Sequence, residues 1–113
     1  SGSHKARRIE HRVSGGDVNP YLMVAAILGA AINGIEDAAE PPAPITGNAY
    51  AAKLPQIPGD WLTAINTFES CPHVARIFSA DLIRNFVLTK RQELHYMKEL
   101  TPSEQVTIYL DTV

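Results

Sequence analysis

The sequence has 113 residues, with 10 Lys and Arg against 12 Asp and Glu, a formal net charge of −2 and a pI of about 6.0. A chain of this length forms one domain and buries roughly two-thirds of its unfolded surface. The charge balance and the absence of a long basic run argue against a nucleic-acid partner. The single cysteine, Cys71, excludes an intramolecular disulfide framework and fits a reducing compartment, so we expect a cytoplasmic protein.

The N-terminal part contains one predicted strand, at residues 8–13. In an extended conformation its side chains alternate, which puts Arg8, Glu10 and Arg12 on one face and His11 on the other. Charges of mixed sign on one strand face suit a polar site that holds a cation and a polyanion together. A lone strand cannot make a sheet, so we expect a second copy, or the rest of a larger protein, to supply its neighbours.

The first helix is predicted from about Pro20 to Ile35, with Asn19 as its N-cap. It is apolar nearly all round, which is typical of a central buried helix, and it is short and interrupted for a membrane span. Gly29 and Gly34 have no side chain, so another element could approach this helix closely at those positions. A long proline-rich connection, residues 37–59, follows.

Three further helices are predicted after this connection. The last has a clear start signal, because Thr101 caps it, Pro102 occupies its first position and Glu104 completes a capping box. The predicted fold class is therefore mainly α with one N-terminal β-strand. The helices are expected at about 60–69, 80–100 and from 102 onward, with a short helical turn at 72–78.

Two motifs resemble the C-terminal part of the catalytic domain of the glutamine synthetase family. They are Lys5-x-x-Arg8-x-Glu10-x-Arg12 and Asn19-Pro20-Tyr21-Leu22. The resemblance extends along the whole chain, and it implies that residues 1–113 are an incomplete C-terminal portion of such a domain, α+β in the parent.

The resemblance also implies an activity. The family joins the γ-carboxyl group of glutamate to ammonia or an amine: ATP phosphorylates the carboxylate, and the amine then displaces phosphate. The family's active sites lie between subunits of a ring-shaped oligomer and use divalent metals, so Mg²⁺ or Mn²⁺, ATP, the remainder of the parent chain and further copies are the implied cofactors and partners. No membrane partner is expected.

Site residues carry over from the resemblance at four positions. Glu10 matches a ligand of the metal nearest the ATP phosphates, and Arg12 matches a catalytic arginine that meets the substrate carboxylate and the transferred phosphoryl group. Lys5 and Arg8 match basic residues at the nucleotide. His11 beside Glu10 is similar to members that glutamylate amines or polyamines.

Each of these assignments has an ordinary structural alternative. From spacing alone, Glu10 and its arginines are an exposed strand face tied by surface ion pairs, each worth at most about 1 kcal/mol. Tyr50 aligns loosely with a tyrosine that some relatives adenylylate, but a packing or loop tyrosine is the interpretation we favour. Cys71 is expected to be a structural thiol.

The sequence thus predicts part of an ATP-dependent glutamate–ammonia or glutamate–amine ligase, inactive by itself. The rival hypothesis is a non-catalytic helical interaction or oligomerisation module derived from that family. A nucleic-acid binder using Lys5, Arg7 and Arg8 is disfavoured, because no aromatic or basic surface accompanies them.

Overall fold

The computed structural model describes residues 3–110 and is mainly α, as predicted. Short 3₁₀ turns occur at His4–Ala6 and at Ala49–Ala51. The helices are α1 (Pro20–Glu36), α2 (Trp61–Ser70), α3 (Pro72–Ala75), α4 (Ala80–Lys98) and α5 (Pro102–Leu110).

The helix starts lie where the capping signals predict them. Asn19 Oδ1 accepts hydrogen bonds from the backbone N–H groups of Tyr21 (3.0 Å) and Leu22 (3.1 Å). The capping box before α5 is formed in both directions, since Glu104 Oε2 accepts from the Thr101 N–H at 2.8 Å and Thr101 Oγ1 accepts from the Glu104 N–H at 3.4 Å. Local sequence therefore fixes where these helices begin.

The predicted strand at residues 8–13 is not formed in this structure. The segment is irregular, and within residues 3–110 no backbone hydrogen bond joins it to another part of the chain. A strand exists only as part of a ladder, and the described residues supply no neighbouring strand. The predicted strand is therefore absent because it has no neighbouring strand to pair with. The sequence already required such a neighbour from outside this chain.

The packed centre lies between α2 and α4. Ile65 of α2 is 5 % exposed, and Val87 and Met97 of α4 are 2 % and 6 % exposed. The Phe68 ring packs against the Phe86 ring, with 5.3 Å between centroids. The core of the described residues therefore lies between α2 and α4.

The prediction that α1 is the central buried helix is wrong for this structure. Its outer side is exposed, and Leu28, Ile32 and Ile35 lie on that side. Instead, α1 is attached through its C-terminal half to the region of α3, where a Cβ on Gly29 would lie 2.6 Å from the Ile77 side chain. The close approach predicted for Gly29 is confirmed, whereas nothing lies within 4 Å of a Cβ on Gly34. A helix that is apolar all round needs cover on every side, and the described residues cover only part of it.

The resulting shape is open. The radius of gyration is 17.4 Å, whereas a compact domain of about 100 residues has one near 13 Å. Among the helices that the structure describes, none is long and apolar enough to cross a membrane. The long connection from α1 to α2 runs over the surface, and nearly all of its residues are exposed.

Candidate functional site

The charged segment, residues 8–12, brings three of the predicted site residues together. Glu10 accepts a hydrogen bond from Arg12 Nε at 2.8 Å and forms a further ion pair with the Arg12 guanidinium. Arg8 lies on the other side of the carboxylate, with 3.8 Å between its Nη2 and Glu10 Oε2. One carboxylate between two guanidinium groups can bind a cation only by giving up these pairs, and the guanidinium groups can bind a carboxylate or phosphate oxygen.

These side chains form no enclosed site. The side chains of Arg8 and Arg12 are largely exposed and that of Glu10 is about half exposed. Lys5 lies in the preceding 3₁₀ turn, also exposed, and forms no ion pair with the segment. Within residues 3–110, no group of three His, Cys, Asp or Glu side chains could hold a metal ion. The described residues therefore do not fit a complete Mg²⁺ or Mn²⁺ site, and the Glu10 carboxylate is paired with Arg8 and Arg12.

Next to the charged segment lies an apolar groove of ≈ 450 Å³ between α1 and the α2–α4 pair. Its polar margin is formed by His11 and Ser14, whose Nδ1 and Oγ atoms lie 3.4 Å apart. The other lining residues are almost entirely apolar. They are Val18, Leu22, Met23, Ala26, Ile27, Ala30, Phe68, Phe78, Leu82 and Phe86.

A half-buried polar cluster on α4 and α5 was not predicted from the sequence. Lys90 Nζ donates to Glu93 Oε2 at 2.7 Å, and the Tyr109 hydroxyl donates to Glu93 Oε1 at 2.7 Å. Lys90 also lies 6.0 Å from the Trp61 ring centroid and 5.9 Å from that of Phe86. The Lys90–Glu93 spacing of three residues on a helix was the signal in the sequence that could have indicated this cluster.

The two acidic members of this cluster have shifted pKa values. Partial burial acts to raise the pKa of Glu93, but the hydrogen bonds from Lys90 and Tyr109 outweigh it and hold that pKa below its ordinary value. Burial, together with the hydrogen bond to Glu93, raises the pKa of Tyr109 to about 12. Both groups therefore keep their usual charge states at neutral pH, which indicates a structural joint between α4 and α5.

A second polar cluster ties α1 to α3. Arg76 donates to Asp37 Oδ2 at 2.7 Å and to Glu36 Oε2 at 2.9 Å. The hydrogen bond from Arg76 is the main cause that holds the pKa of Asp37 below its ordinary value. Asn33 is buried nearby and donates from Nδ2 to the backbone carbonyl of His73 at 3.2 Å. This cluster fixes the end of α1.

Two other residues singled out from the sequence have simple surroundings. Tyr50 is fully exposed on the Ala49–Ala51 turn, so it is a loop tyrosine and does not pack. Cys71 is a half-buried free thiol between α2 and α3.

Comparisons with known proteins show what the chain is similar to. The family model described as glutamine synthetase, catalytic domain, matches residues 1–109. The chain is 36 % identical over 93 residues to a gamma-glutamylethanolamide synthetase of Streptomyces coelicolor, a match that covers 82 % of this chain and 20 % of that protein. It is 33 % identical over 119 residues to a glutamine synthetase of Frankia alni, covering 96 % of this chain and 25 % of that protein.

A glutamate–isopropylamine ligase of a Pseudomonas species is 29 % identical over 111 residues, covering 96 % of this chain and 24 % of the relative. The chain thus spans only a fifth to a quarter of the length of the curated relatives it matches. No solved structure matches the chain.

Proposed function

The chain belongs to the glutamine synthetase family, and from that premise we propose that it is one part of an ATP-dependent ligase that joins the γ-carboxyl group of glutamate to ammonia or an amine. The observation that carries this proposal is the match of residues 1–109 to the catalytic domain, together with relatives that are ligases. Because the chain spans a fifth to a quarter of those relatives, its share of the reaction is partial.

The charged segment is the part of the chain that we propose meets the substrates. Arg12 would pair its planar guanidinium with the glutamate carboxylate and the transferred phosphoryl group, a role that a bidentate fork suits and an ammonium does not. Arg8 and Lys5 would add positive charge at the nucleotide phosphates. Phosphoryl transfer depends mainly on positioning and on neutralising charge, which is what fixed cationic side chains contribute.

Glu10 would supply one oxygen ligand to a divalent metal, Mg²⁺ or Mn²⁺, when the remaining ligands come from elsewhere in the protein. A single carboxylate cannot hold Mg²⁺ against water, because that ion gives up its hydration shell reluctantly. In the described residues the Glu10 carboxylate is instead paired with Arg8 and Arg12. The chain alone is therefore expected to bind metal weakly and to be inactive.

An amine, as an alternative to ammonia, is supported by two of the relatives. Their names identify an ethanolamide product and an isopropylamine substrate. We also propose that the parent assembles with further copies into a ring-shaped oligomer, because the family's sites lie between subunits. A cytoplasmic location is proposed together with the ligase activity.

The test measures ATP- and glutamate-dependent phosphate release. It compares the purified chain with a full-length chimeric protein, here called the carrier. In the carrier, this chain replaces the matching segment of the Streptomyces coelicolor relative. We expect turnover by the carrier and none by the chain. In the carrier, Glu10→Gln should raise the metal concentration needed for half-maximal rate at least tenfold, and Arg12→Lys should lower the rate.

The matched control is Glu40→Gln, which makes the same chemical change at an exposed acid in the long connection. It should leave both the rate and the metal dependence unchanged. Turnover by the isolated chain, or a Glu10→Gln carrier with unaltered metal dependence, would overturn the assignment. A folded carrier without turnover favours the rival, a helical interaction module that has lost catalysis.

A further inference from the structure

In the charged segment, His11 is set apart from the three charged side chains. Glu10 pairs with residues two positions before and after it, so these three charged side chains share one side. His11 lies between them in sequence and lines the groove beside α1. None of the three charged side chains lines the groove, so His11 is separated from them as the alternation of an extended segment would separate it.

On the uncharged side, His11 is the residue that reaches the helices. Its neighbours two positions away, Ile9 and Val13, are 72 % and 64 % exposed, and neither lines the groove. His11 is itself exposed, but it lines the groove together with Val18 and Leu22. An imidazole presents an apolar body with polar tips, which suits a position at the edge of an apolar surface.

Ser14 gives the ring a polar partner. It is half-buried, and its Oγ lies 3.4 Å from His11 Nδ1. The two ring nitrogens of a histidine are distinct, and a partner on one of them fixes the orientation of the ring. No backbone hydrogen bond holds residues 8–13 within the described part of the chain, so His11 and Ser14, which both line the groove, are the residues that bring the charged segment to the helices.

We propose that His11 is a positioning residue, which with Ser14 seats the charged segment on the groove so that Glu10 and Arg12 point away from the helices. On this arrangement the His11 ring lies on the opposite side from Glu10 and does not select the amine directly. The consequence for catalysis rests on the proposed function, because that function gives Glu10 and Arg12 their roles. The placement of the His11 ring is independent of the proposed function.

The test is NMR spectroscopy of the chain itself, with ¹⁵N-labelled histidine. We expect nuclear Overhauser contacts from the His11 ring to the Leu22 side chain and one dominant ring tautomer. Ser14→Ala should abolish the tautomer preference and weaken these contacts at least twofold. The matched control is Ser70→Ala, because the Ser70 hydroxyl donates to the Asn66 carbonyl within α2, away from the segment.

Two replacements of His11 separate positioning from simple packing. Asn places a polar atom near the position of Nδ1 and should keep the Glu10 and Arg12 amide shifts close to those of the unaltered chain. Gln places it near Nε2 and should shift them as His11→Ala does. An unaltered chain without ring contacts to Leu22, a Ser14→Ala spectrum that equals the control, or equal effects of Asn and Gln would each overturn the proposal.

These measurements involve no turnover. Absence of the ring contacts would refute the positioning role of His11 without affecting the ligase proposal. A Glu10→Gln carrier with unimpaired activity would refute the site assignment. It would not change the position of the His11 ring found by NMR.

Discussion

Asn33 donates from its side-chain amide to the backbone carbonyl of His73 across 3.2 Å, and among residues 3–110 it is the one buried polar side chain. A buried amide without a partner would cost about 1–3 kcal/mol, so this bond favours a single placement of α1 on α3. Gly29 against Ile77 and the Arg76 ion pairs lie in the same region. The attachment of α1 is therefore concentrated at its C-terminal half.

Gly29→Ala should destabilise the chain by about 1–3 kcal/mol, because the added Cβ would lie 2.6 Å from Ile77. Gly34→Ala, in the same helix, meets nothing within 4 Å and should stabilise it by up to about 1 kcal/mol through helix propensity. Urea unfolding of both variants checks this. Equal effects of the two substitutions would mean that α1 does not approach Ile77.

Ala38→Gly should stabilise the chain by about 0.5–1 kcal/mol. Ala38 has a φ of +48°, in the left-handed region that costs an L-residue roughly 1–2 kcal/mol, whereas glycine adopts it freely. The gain is reduced by the greater freedom of glycine in the unfolded chain. Ala39→Gly is the control, because Ala39 is not among the positive-φ residues and can only lose stability. Thermal unfolding of both variants gives the comparison, and a lower melting temperature for Ala38→Gly would contradict it.

Ile65→Ala should cost about 2–5 kcal/mol, since this side chain is buried between α2 and α4. The same change at Ile35, which is 79 % exposed, should stay within about 0.5 kcal/mol. Ile27 and Phe86 are only half-buried, so truncation there should cost less than at Ile65. Denaturant midpoints rank these variants, and a larger loss at Ile35 than at Ile65 would place the core elsewhere.

The hydrogen bond from Tyr109 to Glu93 should make stability depend on alkaline pH. The pKa of Tyr109 is raised from 10.0 to about 12 on folding, so its contribution is complete below pH 10 and is lost as pH rises towards 12. The stability difference between the unaltered chain and Tyr109→Phe should therefore be constant from pH 7 to 9 and shrink between pH 10 and 12. Urea titrations at each pH measure it. A difference that stays constant up to pH 12 would show that the hydroxyl is not held by Glu93.

Amide hydrogens at Ile9, Glu10 and His11 should exchange rapidly in a confirmed monomer, because residues 8–13 have no ladder partner in the described chain. Amides in the middle of α4 provide the protected reference. Slow exchange at all three positions would show that the segment is held by more than its side chains. Protection that appears only on adding the rest of a catalytic domain would identify the missing neighbour strand.

The helix starts were predictable because capping is local: Asn19, Thr101 and Glu104 act on N–H groups two or three residues away. The close approach at Gly29 was also suggested by the sequence. The position of α1 was not predictable. An apolar pattern all round a helix predicts that the helix is buried, but it does not identify the surfaces that bury it. The pairing of Glu10 with both arginines follows from alternation, while the roles of Lys5, Arg8, Glu10 and Arg12 depend on surfaces outside this chain and remain predictions.

The long surface connection between α1 and α2 contributes few contacts, so the geometry of the fold does not depend on its length. Asp37 at its start is held by Arg76, and α1 itself is held by Asn33 and Gly29. For a flexible loop, doubling the length adds only about 0.6 kcal/mol of closure entropy. Insertions in this connection are therefore a tolerated form of variation, and a tag or reporter placed there would leave both helices in register with their neighbours.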